Sequence, residues 1–217
     1  MRLSAPRPPA RVWIEVLRKI VPVLDEARVH DVILFGSQSM SVYMQRALAS
    51  KDLDLIAPGV AINSLEKLAD ALAEMSSQRP TYDQYVGEYL GRRYPVSHIY
   101  LKHKDGFPFV LEFFDTFLGY PATKLAPFLS IKDKWGLSLQ VPTPEAIIAT
   151  RLAFRPPERI TPTNAMRLNR FIRRTRKVDW SEVNAFIEEF KLRSLVLENI
   201  DALRSKHISI TGTSKIT

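Results

Sequence analysis

The stretch from residue 32 to residue 56 constrains this chain most, because an apolar run, a Gly-Ser turn, a helical segment and an acidic strand follow one another in it. The apolar run predicts a buried strand, and Gly36-Ser37 follows it. Asp52 and Asp54 alternate with leucines, so in an extended strand both carboxylates project from one face while the leucines pack beneath. Two ionised carboxylates roughly 6–7 Å apart repel each other. A divalent cation held by oxygen ligands would offset that repulsion directly.

The amino-acid composition indicates a globular protein and excludes several kinds of site. The chain has 217 residues, of which 46% are hydrophobic and 25% charged, as expected for one large globular domain or a domain with a small helical one beside it. Cysteine is absent, which excludes disulfides and thiolate nucleophiles, and the four histidines contain no i, i+4 pair of the kind that binds zinc. No apolar run approaches the roughly 18 residues of a membrane span, and the basic N-terminal segment lacks the apolar core of a signal peptide. We therefore expect a cytoplasmic protein without a membrane partner.

The charge balance points to polyanionic partners. The formal net charge is +8 at pH 7. An excess of this size favours nucleic acid as a partner, although it is also compatible with simple solubility.

A third carboxylate stands in a later strand. Residues 96–103 and 107–114 predict two strands, and the Lys-Asp-Gly sequence at 104–106 predicts the hairpin turn between them. Glu112 is flanked by apolar residues, where a buried carboxylate without a partner would be costly. It is either exposed on an edge strand or the third member of a site with the two aspartates. Asp115 competes for that role, but its position at the strand end is more typical of a cap or a turn.

The remaining pattern is mainly helical toward the C-terminus. Apolar periodicity and capping residues predict helices over 11–27, 40–48, 63–75, 144–154, 163–177, 179–190 and 193–204. The polar segment 77–93 and the proline-containing segment 119–136 are expected to be loops, with a short strand over 137–141. We divide the chain into a core over 1–136 and a mainly helical region over 137–217.

One predicted helix has a strongly basic face. That face is formed by Arg167, Arg170, Arg174 and Lys177. Between Arg151 and Lys177 the only acidic residue is Glu158, whereas an ordinary protein surface mixes both signs of charge. The basic face is either a solvated outer surface or a contact for a phosphate backbone.

A glycine-serine turn, an Asp-x-Asp pair and an acid from a later strand occur in a fixed order. They are formed by Gly36, Ser37, Asp52, Asp54 and Glu112. This ordered set resembles the nucleotidyltransferase fold of the DNA polymerase beta superfamily. The resemblance implies an α+β fold, with a mixed β-sheet flanked by helices and followed by a C-terminal helical region.

Within that superfamily the spacing is most similar to the AbiEii-like toxin nucleotidyltransferases. Ser50 lies two residues before the first aspartate, as is common in that branch, and residues 141–152 resemble its strand-Pro-Glu-helix element. The chain departs from the branch at Leu48, where an arginine is frequent, and at Arg151, where a lysine is usual. The downstream Lys-Asp pair of the branch is approximated by residues 177–179.

The resemblance also implies roles for individual residues. The catalytic and metal-binding residues would be Asp52, Asp54 and Glu112, holding Mg²⁺ with Mn²⁺ as an alternative ion. The nucleoside triphosphate (NTP) would be bound by Gly36, Ser37 and Lys51, although Lys51 also fits a solvated surface charge. Nucleic acid would be contacted by Arg151, Arg167, Arg170, Arg174 and Lys177.

The predicted function is Mg²⁺-dependent transfer of a nucleoside monophosphate from an NTP to a hydroxyl acceptor. The basic charge and the resemblance to toxins that modify tRNA ends favour RNA as the acceptor. A protein hydroxyl stays open, and so does a small aminoglycoside-like acceptor, although a cationic aminoglycoside would prefer an acidic cleft. The alternative class is a non-catalytic nucleic-acid-binding or toxin–antitoxin module, for which an antitoxin protein would be the partner.

Overall fold

A computed structural model describes residues 7–60, 62–89, 91–153, 161–175 and 177–216. The chain divides into two compact units, Met1–Val141 and Pro142–Thr217, which we call the N-terminal unit and the C-terminal unit. The division falls later than the predicted one at residue 136, because residues 137–142 form a strand that pairs within the sheet of the N-terminal unit.

The N-terminal unit is built on a seven-stranded sheet. Its strands are β1 (Ile33–Leu34), β2 (Asp52–Ile56), β3 (Thr81–Tyr89), β4 (Arg92–Lys102), β5 (Pro108–Phe114), β6 (Leu129–Lys134) and β7 (Leu137–Pro142). Its helices are α1 (Ala10–Glu26), α2 (Gly36–Val42) and α3 (Ile62–Ala73), with a 3-10 helix over Ala122–Phe128. The strand order is β3-β4-β5-β2-β1-β7-β6.

The sheet is mixed. Strand β2 pairs with β5 in parallel, and β1 pairs with β7 in parallel. The pairs β1–β2, β3–β4 and β4–β5 are antiparallel. This mixed sheet with its helices confirms the predicted α+β fold class.

One face of the sheet forms the hydrophobic core. Leu53 and Leu55 of β2 are buried together with Leu111 and Phe113 of β5, and Trp13 of α1 belongs to the same cluster. Helices α1 and α3 contact each other and contribute further buried residues to it. Because side chains alternate along a strand, the aspartates of β2 and the glutamate of β5 project from the opposite face.

Three local predictions were wrong. The helix expected over 40–48 begins at Gly36 and ends at Val42, so it directly follows β1. The expected loop over 77–93 contains β3 and the start of β4, and the expected loop over 119–136 contains the 3-10 helix and β6. Strand β3 is first in the sheet order and exposed along most of its length, so its polar sequence carries no buried face to signal a strand.

The C-terminal unit is helical. It contains α4 (Pro144–Ala153), α5 (Pro162–Arg174), α6 (Trp180–Glu189) and α7 (Arg193–Ser205), with a 3-10 helix over Thr213–Lys215. Helix α4 contacts each of the other three α-helices. The side chains of Thr161 and Asp179 cap α5 and α6 by accepting backbone N–H bonds. Among the described helices of the whole chain, none is both long and apolar enough to cross a lipid bilayer.

Candidate active site

Four polar side chains form one row across four neighbouring strands. The register pairs Asp54 of β2 with Glu112 of β5, Glu112 with His98 of β4, and His98 with Asp83 of β3. Paired residues in a sheet project from the same face, so the row lies on the face opposite the core. The parallel pairing of β2 with β5 therefore brings the second aspartate and the glutamate side by side, although they are far apart in sequence.

The turn at Gly36 lies directly against Asp54. A Cβ atom built on Gly36 would lie 1.7 Å from Oδ2 of Asp54, far inside any allowed contact. Gly36 also has a φ angle of +65°, which side chains with a Cβ atom rarely adopt. The backbone N–H of Phe35 donates to the Asp54 carbonyl at 2.9 Å and fixes the turn on β2. A glycine is therefore required here by the approach to the carboxylate and by the backbone conformation together.

Asp52 is held by a short chain of hydroxyl groups. Ser50 donates to Oδ1 of Asp52 at 2.6 Å, and its hydroxyl lies 3.1 Å from that of Ser37. Ser50 is only 4% exposed, so the middle hydroxyl of the series is shielded from water. The side-chain amide of Gln38 donates to the backbone carbonyl of Asp52. In this conformation the hydroxyl of Ser37, one of the predicted NTP-binding residues, contacts the hydroxyl of Ser50.

The geometry distinguishes the two candidates for the third acid. Glu112 lies in β5 beside Asp54 and keeps 30% of its side chain exposed. Asp115 follows β5, and its Oδ1 accepts from the backbone N–H of Gly59 at 2.8 Å. Asp115 therefore holds a turn, while Glu112 is the acid that lies beside the aspartate pair.

Three tyrosines lie within electrostatic reach of Glu112. Burial raises the pKa of Tyr85, and the negative charge of Glu112 raises it further. Burial is also the main cause that raises the pKa of Tyr94, before the charges of Tyr85 and Glu112. For Tyr100, burial raises the pKa first, and its hydrogen bond to Asp83 follows. All three phenols therefore stay protonated at neutral pH.

The side chains on this face are of the type that binds a hard divalent cation, because such ions prefer carboxylate and hydroxyl oxygens as ligands. Asp52 and Asp54 share one face of β2, and Glu112 is the cross-strand neighbour of Asp54. Across the residues that the structure describes, however, no three acidic or histidine side chains lie close enough together to hold a metal ion. Residues of the right type are thus neighbours, but in this conformation they do not form a three-carboxylate cluster.

Of the other predicted residues, Lys51 belongs to the N-terminal unit and the five basic residues after it belong to the C-terminal unit. Lys51 immediately precedes β2, and its carbonyl accepts from the Val110 N–H at 3.1 Å. Arg151 lies in α4 and is partly buried, and Arg167 of α5 is partly buried as well. Arg170, Arg174 and Lys177 are exposed.

Helix α5 lines a basic groove within the C-terminal unit. The groove has a volume of about 450 Å³ and is lined by Met166, Asn169, Arg170, Arg173 and Arg174. We call it the arginine groove. Arg173 was not among the predicted residues, although it follows Arg170 by three positions and so lies near it on a helix. Met166 is 61% exposed, so the groove combines three cations with an apolar edge.

Comparisons with known proteins find solved structures of similar fold, but they find no relatives by sequence. No family model matches the sequence, and no curated protein resembles it in a sequence search. The solution structure of the antibiotic-resistance factor ANT(2'')-Ia matches with a TM-score of 0.53 and 17% identity, over 91% of this chain and 98% of that chain. JHP933 from Helicobacter pylori matches with a TM-score of 0.51 and 17% identity, over 88% and 80% of the two chains. The likeness is one of fold.

A second structure of ANT(2'')-Ia, the crystal structure in complex with adenylyl-2''-tobramycin, matches with a TM-score of 0.50 and 17% identity. It covers 84% of this chain and 98% of that chain. At this identity the likeness shows the fold alone, and it does not distinguish the AbiEii-like branch.

Sequence reasoning missed the histidine in the row. His98 and Tyr100 alternate along β4 on the face of Glu112, and Asp83 faces them from β3. The turn predicted at 104–106 was the available signal, because a hairpin turn fixes which residues of the two strands are opposite. Asp83 could not be placed, since its segment was expected to be a loop.

We predict that Gly36→Ala destabilises the protein by about 1–3 kcal/mol more than Gly59→Ala, measured as the free energy of unfolding in urea. Both glycines have positive φ angles, so both substitutions strain the backbone. Only at Gly36 does the new methyl group collide with a carboxylate, whereas no described atom lies within 4 Å of a Cβ on Gly59. Equal costs for the two substitutions would show that the Gly36 turn does not lie against Asp54.

Proposed function

We propose that this protein is a nucleotidyltransferase that moves a nucleoside monophosphate from an NTP to a hydroxyl group. The observation that carries the proposal is the in-register pair of Asp54 and Glu112 beside the Gly36 turn, with Asp52 two residues earlier on the same strand. The similar fold of ANT(2'')-Ia, which has been crystallised with an adenylylated antibiotic, supports it. A catalytic site needs acidic groups gathered on an open face, and the helices of the core cover the other face of this sheet.

The Gly36 turn is proposed to receive the triphosphate. Without a Cβ atom at Gly36, the chain can approach both Asp54 and a ligand closely. Ser37 would donate its hydroxyl to a phosphate oxygen after leaving Ser50, which would then keep its bond to Asp52. Lys51 is proposed as a further cation for the phosphates, since it immediately precedes β2.

In the reaction, the acceptor oxygen attacks the α-phosphorus, and the bond from that phosphorus to the oxygen of pyrophosphate breaks. Glu112 is proposed to take the proton of the acceptor hydroxyl. The ion, Mg²⁺ or Mn²⁺, would be held by Asp52 and Asp54, and when bound it would offset the negative charge of the phosphates. Products are the nucleotidylated acceptor and pyrophosphate.

RNA is the acceptor that we propose, on the basis of the C-terminal unit by itself. The arginine groove presents Arg170, Arg173 and Arg174 along one side of α5. Three like charges at helical spacing repel one another unless an anion lies between them, and a phosphate backbone supplies such anions at regular intervals. Arg151, Arg167 and Lys177 are further candidates for contacts with RNA, but they do not line the groove.

A second candidate acceptor is a small cationic molecule that carries hydroxyl groups, such as an aminoglycoside. The acidic charge of the site face favours it. Asp83 and Glu112 lie on the same face as the aspartate pair, with tyrosines around them. The net charge of the chain is basic, but this face is acidic and could attract a cation. ANT(2'')-Ia has been crystallised with adenylyl-2''-tobramycin, which gives this acceptor a precedent on a similar fold.

We predict that Asp54→Asn and Glu112→Gln each lower nucleotidyl transfer by at least about 100-fold, because each removes a charge that acts in the transition state. Transfer is measured with each of the four α-labelled NTPs and Mg²⁺, using total RNA, the protein itself and an aminoglycoside as separate acceptors. The matched control is Glu66→Gln, which changes an exposed carboxylate on α3 and should leave the rate unchanged.

The acceptor that becomes labelled decides between the alternatives. Label in RNA supports the proposal, label in the aminoglycoside supports the second candidate, and label in the protein indicates protein nucleotidylation. If no acceptor is labelled by any NTP, the enzyme proposal fails, and a non-catalytic nucleic-acid or toxin–antitoxin module becomes the better account.

We predict that replacing Arg170, Arg173 and Arg174 together by glutamine weakens RNA binding. The slope of log K against log salt concentration should fall by about three units or somewhat less, because each lost phosphate contact removes close to one released counterion. Fluorescence anisotropy with a labelled tRNA at several salt concentrations measures both quantities.

The control for RNA binding is the double variant Arg193→Gln and Arg204→Gln. These arginines belong to the same unit, but each already pairs with an acid, Arg193 with Glu188 and Arg204 with Asp201. A slope that changes equally in the control and in the groove variant would mean that the arginine groove is only part of a solvated basic surface.

A further inference from the structure

His98 lies between a carboxylate and a phenol on the site face of the sheet. Its Nε2 atom is 3.2 Å from Oε1 of Glu112, and its Nδ1 atom is 2.8 Å from the hydroxyl of Tyr100. The histidine is only 9% exposed, although it projects from the polar face. A buried imidazole with a partner at each nitrogen has one fixed orientation.

The partners determine which nitrogen donates to Glu112. An ionised carboxylate only accepts hydrogen bonds, so the proton on this side belongs to Nε2 of His98. On the other side, the Tyr100 hydroxyl lies at hydrogen-bond distance from Nδ1, and Oδ1 of Asp83 is 3.3 Å from the same atom. Whether Nδ1 accepts from Tyr100 or donates toward Asp83, Nε2–H points at Glu112.

Neighbouring rings hold the imidazole in place. The ring of Tyr85 lies 5.0 Å from that of His98 at an angle of 46°, and the ring of Tyr100 lies 5.4 Å away at 66°. The Tyr100 hydroxyl also lies 3.2 Å from Oδ2 of Asp83, so its single proton goes either to that carboxylate or to Nδ1 of His98, and the phenol contacts β3 in both cases. Contacts from two strands therefore fix the ring plane as well as its hydrogen bonds.

We propose that His98 is a positioning residue that fixes the carboxylate of Glu112 in the orientation needed to take the proton of the acceptor. This inference rests on the proposed nucleotidyl transfer. Glu112 has a flexible side chain that is partly exposed, so without a partner it would sample several rotamers. With Oε1 held by Nε2, the carboxylate keeps one oxygen, Oε2, to act on the acceptor hydroxyl. Restricting a base in this way raises the fraction of molecules ready to react.

The test compares His98→Ala with His98→Gln in the transfer assay. The alanine variant should lower kcat by about 10–100-fold with the KM for NTP changed by less than about two-fold, as is typical when a residue that orients a functional carboxylate is removed. The glutamine variant should keep kcat within about three-fold of the wild type, because its side-chain amide can still donate to Glu112. A purely structural role of His98 would not separate the two variants in this way.

His103 provides the matched control. It is a second buried histidine near the end of β4, but it lies beside Glu15 and Asp105 and not beside Glu112. His103→Ala should lower the thermal unfolding temperature without changing kcat. A loss of kcat for His103→Ala as large as for His98→Ala would contradict a specific role of His98.

A second readout does not depend on catalysis. In protein labelled with ¹⁵N-histidine, the long-range ¹H–¹⁵N spectrum reports which ring nitrogen carries the proton. Glu112→Ala should shift the Nε2 resonance of His98 and leave the resonances of His103 in place. This readout separates the two proposals, because it can support the contact with His98 even if no NTP is transferred to any acceptor.

Three results would overturn the inference. The first is a kcat of His98→Ala equal to that of the wild type, and the second is a kcat of His98→Gln as low as that of His98→Ala. The third is an Nε2 resonance of His98 that does not move in Glu112→Ala, which would mean that the hydrogen bond to the glutamate is absent in solution.

Discussion

The parallel pairing of β2 with β5 is the constraint on which the candidate site depends. It places Asp54 opposite Glu112 in register, while Leu53 and Leu55 alternate with the aspartates and are buried in the core. A shift of one residue would turn the carboxylates toward α1 and α3 and expose the leucines. The hydrophobic core therefore fixes the register, and the register in turn gathers the acids on the open face.

Each of the three carboxylates of the candidate site is contacted by a different part of the fold. The Gly36 turn lies against Asp54, Ser50 holds Asp52, and His98 of β4 holds Glu112. Carboxylates of like charge repel when they are brought together, and the hydrogen bonds that Asp52 and Glu112 accept offset part of that cost. The arrangement thus resembles a preorganised site, in which the acids are oriented before a ligand arrives.

Much of this could be predicted from the sequence, because the informative patterns are local. Alternation in the Asp-Leu-Asp-Leu segment gives the strand and its two faces, and the Asp-Gly turn at 105–106 gives the hairpin that carries Glu112. Strand β3 was missed because its residues are exposed along most of its length, so the apolar alternation that signals a strand is absent. The contact of Gly36 with Asp54 was also out of reach, since it depends on the path of the chain in three dimensions.

A double-mutant cycle of Asp54→Asn and Glu112→Gln tests most directly whether the two acids act in one site. If they serve one reaction, their effects on the transfer rate are not additive, and the double variant loses little more activity than the more damaging single variant. Losses that simply add in free energy would mean that the two acids act independently, and that their pairing across β2 and β5 is a feature of the fold alone.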